Sequence, residues 1–106
     1  MTPEMKQRIE TEINKAPLTL FIKGNRDFPM CGFSARVIEV AKAVNCEYND
    51  VNLMEDMDLM EGIAEYENWP TTPLIYVNGE FIGGCDITLE MFESGELQEA
   101  LKASAA

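Results

Sequence analysis

The chain has 106 residues, 46% hydrophobic and 25% charged, the proportions of one soluble globular domain and not of a collagen-like, low-complexity or disordered chain. Its formal charge of -11 argues against a nucleic-acid partner, which needs clustered Lys and Arg, and no apolar run approaches the roughly 18 residues of a membrane span. Histidine is absent, which removes zincin, Ser-His-Asp and Cys-His chemistry together, because each needs an imidazole.

Taken in chain order, Thr2-Pro3-Glu4 reads as a helix start, with Met5, Ile9 and Ile13 following at helical spacing. Pro17 ends that helix, and Leu18-Thr19-Leu20-Phe21-Ile22 suits a buried strand. The loop Gly24 to Met30 delivers the chain to Cys31, and from there to Val44 apolar residues recur with helical periodicity. Glu47 to Asn52 is a second, weaker strand, and Glu55 to Tyr66 a second amphipathic helix with an acid-rich first turn. Trp69-Pro70-Thr71-Thr72-Pro73 is too proline-rich for helix. Leu74 to Val77, Asn78-Gly79 and Glu80 to Ile82 read as a hairpin with a type I′ turn. Thr88 to Ala103 is helical, with a break near Ser94-Gly95. The order α-β-α-β-α-β-β-α requires parallel strands with helical crossovers and then an antiparallel addition. This predicts an α/β, thioredoxin-like fold with a four-stranded mixed sheet flanked by helices.

Charge is unevenly placed. Residues 1–42 hold seven bases and five acids, whereas residues 43–106 hold one base, Lys102, and fourteen acids. The acidic half favours cationic partners, although most of its carboxylates need do no more than keep the fold soluble. The cysteines, Cys31, Cys46 and Cys85, are too few and too odd in number for a secreted disulfide framework.

Cys31 stands out. It follows Pro29 closely at the apparent start of a helix, where the dipole and unpaired N–H groups favour an anion, and Lys23 and Arg26 are nearby in sequence. That environment lowers a thiol pKa and makes it nucleophilic or metal-binding. Thr72-Pro73 suggests a cis bond that turns backbone groups toward a peptide-like ligand. Gly83-Gly84-Cys85-Asp86 permits close approach of a ligand to the backbone, with Asp86 placed to meet a zwitterionic end; a plain turn with Asp86 or Thr88 as N-cap is the simpler alternative. Trp69 reads as core, Phe33 is compatible with core, and Cys46 receives no function.

These residues together resemble the monothiol glutaredoxins of the CGFS type. The resemblance rests on Lys23-Gly24, Phe28-Pro29-Met30-Cys31-Gly32-Phe33-Ser34, Asn68-Trp69-Pro70-Thr71, Pro73, Tyr76 to Glu80, Ile82 to Asp86, and Glu93 to Leu97. It implies one glutaredoxin domain over 1–106 and a glutathione site beside the thiolate. It further implies a [2Fe–2S] cluster bridged between two subunits, with Cys31 and a glutathione thiol as ligands from each half. By that resemblance Lys23 pairs with the glycyl carboxylate, Thr72 before Pro73 bonds the cysteinyl backbone, Cys85 and Asp86 hold the γ-glutamyl end, and Phe33, Pro73 and Gly84 also belong to the glutathione site. A cluster of this type takes four thiolates, and two such chains with two glutathiones provide them.

Ser34 stands where a dithiol enzyme has its resolving cysteine, so the expected activity is cluster carriage to apo-proteins, with at most weak glutathione-dependent disulfide reduction. A Cys31–Cys85 redox sensor ranks last. The implied partners are a second copy of the chain, a BolA-type protein and apo iron–sulfur clients, in the cytoplasm, or in an organellar matrix if the chain is a processed form. Two departures from the family pattern stand out. Met60 replaces the usual Arg, which implies weaker or differently anchored glutathione, and Thr72 and Leu74 replace an apolar residue and Gln.

Overall fold

In the computed structural model, which describes residues 1–104, the run of five buried residues in β1 (Leu18–Ile22) forms an inner strand of a four-stranded sheet. Residues 105 and 106 of the expected domain lie outside the described residues. The strand order is β2-β1-β3-β4. β2 (Tyr48–Asn52) pairs parallel to β1, Leu18 opposite Tyr48, and its five half-buried positions suit an edge. β3 (Leu74–Val77) pairs antiparallel to β1 and, through a hairpin, to β4 (Glu80–Gly83). The turn has Asn78 at φ 53 and Gly79 at φ 83, the two positive values that a type I′ turn requires and that Asn-Gly supplies at least cost.

Alternation along β1 divides the core between two faces. Leu18, Leu20 and Ile22 pack with α2 (Gly32–Ala43), α4 (Cys85–Ser94) and α5 (Glu96–Ser104), burying Val37, Ile38, Leu97 and Leu101 among others. Phe21 points the other way, to Ile9 and Ile13 of α1 (Pro3–Ile13) and Leu59 and Ile63 of α3 (Met57–Glu67). The result is a helix–sheet–helix sandwich of the expected class.

Local chemistry sets the boundaries. Thr2 caps α1 by accepting from Met5 N–H at 3.1 Å, with Pro3 in the first turn. The second amphipathic segment begins two residues later than its periodicity suggests. Leu53–Glu55 forms a 3₁₀ turn, and Asp56, extended at φ -149, then caps α3 by accepting from Leu59 N–H at 3.0 Å. The last helix starts earlier than expected, at Cys85, and breaks at Gly95, whose φ of 87 ends α4 before α5 begins. Neither Asp86 nor Thr88 is its N-cap: Gly84 holds that position, and the Thr88 hydroxyl donates back to the Gly84 carbonyl at 2.8 Å.

Candidate functional site

Cys31 is the N-cap residue of α2, extended at φ -156. Burial pushes its thiol pKa up, but the Ser34 N–H, the Ser34 hydroxyl, the Phe33 N–H and the Lys23 charge outweigh that, and the net shift is downward. Ser34 is fully buried, and its Oγ also accepts from Lys23 N–H at 3.1 Å. The residue in the place of a second thiol therefore ties the end of β1 to the start of α2 and donates toward Cys31.

The loop before Cys31 is a small hairpin fastened to β2. Gly24 and Pro29 form an antiparallel bridge, Met30 N–H donates to the Lys23 carbonyl at 2.9 Å, and Asn25 Oδ1 accepts from Asp27 and Phe28 N–H at 2.9 Å each. Gly24 has φ +92, and a Cβ there would stand 2.3 Å from the Phe28 carbonyl, so this turn admits only glycine. Alternate residues of β2 hold the loop from the side. Asn52 Oδ1 accepts from Gly24 N–H at 3.0 Å, and Asp50 accepts from Arg26 N–H at 2.9 Å and from its guanidinium at 2.7 and 2.9 Å. The Arg26 guanidinium also lies 4.0 Å from the Tyr48 ring centre. This corrects the expectation that Arg26 supports the thiolate: Asp50 takes its charge, and Lys23 is the cation that acts on Cys31. Phe28 and Met30, in the loop that leads to Cys31, are both exposed.

Six residues singled out in the sequence line one open cleft of about 370 Å³: Phe33, Thr72, Pro73, Gly84, Cys85 and Asp86. The Thr72–Pro73 bond is cis. A Cβ on Gly84 would meet the Pro73 carbonyl at 3.3 Å, so the cleft narrows there to backbone against backbone. Cys31 and Lys23 are not in its lining. Cys31 is the residue two before Phe33 and is close enough for its charge to act on the Cys85 thiol, and all three cysteines are free. Burial, then Asp86, pushes the Cys85 thiol up, and Cys31 adds to this while Arg36 opposes it. Phe33 is 53% exposed and therefore a surface wall, not core.

Sequence reasoning missed Trp69, Thr71 and Ile87, which complete the cleft. Trp69 does pack on Phe81, with ring centres 5.2 Å apart, as a core reading expects, yet it also lines the cleft, and its buried Nε1 has no partner among the described residues. Its place between Asn68 and Pro70 was the available signal. Met60 is half-buried against the α1–α3 core and is absent from the cleft lining. Cys46 packs beside the other core, and burial pushes its thiol up, consistent with no assigned role.

A cysteine at a helix N-terminus above a cis-proline cleft, on this sheet order, defines a thioredoxin-like thiol protein. The sequence pattern of the glutaredoxin family matches residues 18–82. The chain is 51% identical over 102 residues, 96% of its length, to monothiol glutaredoxin-S14, chloroplastic, of Arabidopsis thaliana, and spans 59% of that protein. It is 41% identical over its whole length, and over 99% of the other, to a monothiol glutaredoxin, ycf64-like, of Synechocystis. The solution structure of reduced poplar apo GrxS14 superposes with a TM-score of 0.83 at 43% identity, covering 98% of this chain and 95% of that one. A buckwheat glutaredoxin solved as a glutathione complex gives a TM-score of 0.83 at 26% identity, covering 100% and 98%. The chain belongs to the glutaredoxin family, among the monothiol glutaredoxins.

Proposed function

We propose that this chain binds glutathione in the cleft beside Cys31 and carries a glutathione-ligated [2Fe–2S] cluster, bridged between two copies, to apo-proteins. The observation that supports this reading best is the pairing of Cys31 with Ser34. The thiol is held toward its anionic form at the edge of an open cleft, and the neighbouring position has a buried hydroxyl already bonded to the backbone. A thiolate is the form that ligates iron, and no second thiol stands at the helix start to expel a bound partner. By the family resemblance the remaining ligands come from glutathione and a second chain. The cluster is cargo. Cys31 is its protein ligand, Lys23 meets the glycyl carboxylate, and Thr72, Pro73, Gly84, Cys85 and Asp86 hold the rest of glutathione with Phe33 as a wall. Met60 stands in the chain where the family has a second cation for the glycyl carboxylate, which makes that anchor weaker. A BolA-type protein replaces one copy in the heteromeric form, and the setting is a reducing, glutathione-containing compartment.

Anaerobic reconstitution with iron, sulfide and glutathione, followed by visible absorption and sizing, tests the reading. The expected result is a glutathione-dependent cluster spectrum on a dimer, absent in Cys31→Ser. A colourless monomer would overturn it and favour the second reading, a glutathione-dependent thiol–disulfide oxidoreductase. That alternative is supported by the same stabilised thiolate, and steady deglutathionylation of a model mixed disulfide, lost in Cys31→Ser, is its signature.

A further inference from the structure

The acid-rich chain has three arginines, and two of them are committed to ion pairs: Arg8 to Asp56 at 2.6 Å and Arg26 to Asp50 at 2.7 Å. Among the described residues the third, Arg36, has no carboxylate within ion-pair distance. It lies one helical turn beyond Phe33 on α2, and its guanidinium carbon is 5.9 Å from the Phe33 ring centre. Phe33 is a wall of the cleft together with Cys85 and Asp86, and Arg36 acts on the Cys85 thiol as a positive charge. At the same end, Gly84 gives α4 no side-chain cap, and Gly84, Cys85, Asp86 and Ile87 all line the cleft. An anion there meets the positive end of a ten-residue helix and an uncommitted guanidinium together. The charge of Lys23, by contrast, is felt by Cys31. Each cation thus acts on a different thiol of the pair.

We infer that Arg36 is a specificity-determining residue of the cleft, taking the carboxylate at the γ-glutamyl end of the bound thiol while Lys23 takes the one at the glycyl end. The inference rests on the glutathione reading above and adds a residue to it. Arg36 is not itself in the lining of the cleft; it stands behind Phe33, and the packing of α2 beside α4 is what lets its charge reach Cys85.

The test uses truncated ligands as the second half of a cycle. Glutathione, γ-glutamylcysteine and cysteinylglycine are each equilibrated with the chain as thiol and symmetric disulfide. The Cys31 thiolate attacks one sulfur of the ligand disulfide, the S–S bond breaks, a mixed disulfide forms, and one ligand thiolate leaves, so that the equilibrium constant reads cleft binding. Arg36→Gln is expected to lower that constant about three- to tenfold for glutathione and γ-glutamylcysteine, with no change for cysteinylglycine, and Arg36→Lys to recover part of it. Equal losses for all three ligands, or none for glutathione, would overturn the assignment while leaving the glutathione reading in place. If the wild-type chain discriminates none of the three from free cysteine, the glutathione reading falls and this inference with it.

Discussion

Cys31 and Cys85 both sit at the start of a helix, one at the N-cap of α2 and the other as the first residue of α4, yet their thiols are shifted in opposite directions. Standing at a helix start is therefore not enough: Cys31, at the N-cap, receives the free N–H groups of Phe33 and Ser34, whereas no backbone N–H acts on the Cys85 thiol one position further in. Cys31 is partly accessible and receives two N–H groups, the Ser34 hydroxyl and the Lys23 charge, each of which stabilises the anion. Cys85 is only 6% exposed and stands next to Asp86, so desolvation and a like charge both penalise its ionised form. Two thiols at one site are thus shifted in opposite directions. One is poised to react or ligate, and the other stays a neutral wall of the cleft.

The largest expected effect tests that contrast directly. Iodoacetamide at pH 7 should label Cys31 roughly a hundredfold or more faster than Cys85, because the thiolate is the nucleophile and only Cys31 is shifted toward it. Peptide mapping by mass spectrometry reads the ratio, and comparable rates would dissolve the comparison. The signs also differ for stability. Cys31, ionising more readily in the fold, adds stability as pH rises toward the ordinary thiol value of about 8.5. Cys85, ionising less readily, withdraws stability as pH climbs beyond that value.

Ser34→Ala should come next. It strips Cys31 of a donor and leaves Lys23 N–H without its acceptor, for a cost of about 1–2 kcal/mol in denaturant unfolding. The Cys31 alkylation pKa should rise while that of Cys85 stays put. Lys23→Gln should have the smallest effect, a rise in the Cys31 alkylation pKa of under about one unit with unchanged unfolding, since a partly solvated charge acts weakly and is screened by salt. A rise that persists unaltered in high salt would contradict a Coulombic origin.

The same contrast explains what could be read in advance. The hairpin, the cis proline and the helix start at Cys31 were legible because each follows from local chemistry: Asn-Gly favours positive φ, Thr-Pro tolerates cis, and a thiol after Pro29 precedes an apolar 3.6-residue period. The direction of the Cys31 shift was legible for the same reason, since Ser34, Phe33 and Lys23 are all close in sequence. Arg26 was misread because its partners Asp50 and Tyr48 come from β2, and nothing in its own segment announces them. Trp69 was read as core because its packing on Phe81 satisfies that role, while its second face opens on the cleft only once β4 and α4 are in place.

The sequence by itself determined the element order, the mixed sheet that this order demands, and a monothiol centre at Cys31 with a serine in place of a second thiol. Those are matters of periodicity, turn chemistry and residue identity within a few positions of one another. Tertiary structure alone decided which cations serve the site. Parallel pairing of β2 beside β1 diverted Arg26 to Asp50, and packing of α4 beside α2 brought the charge of Arg36 within reach of Cys85, because a charge acts on what surrounds it in space and not on its neighbours in the chain.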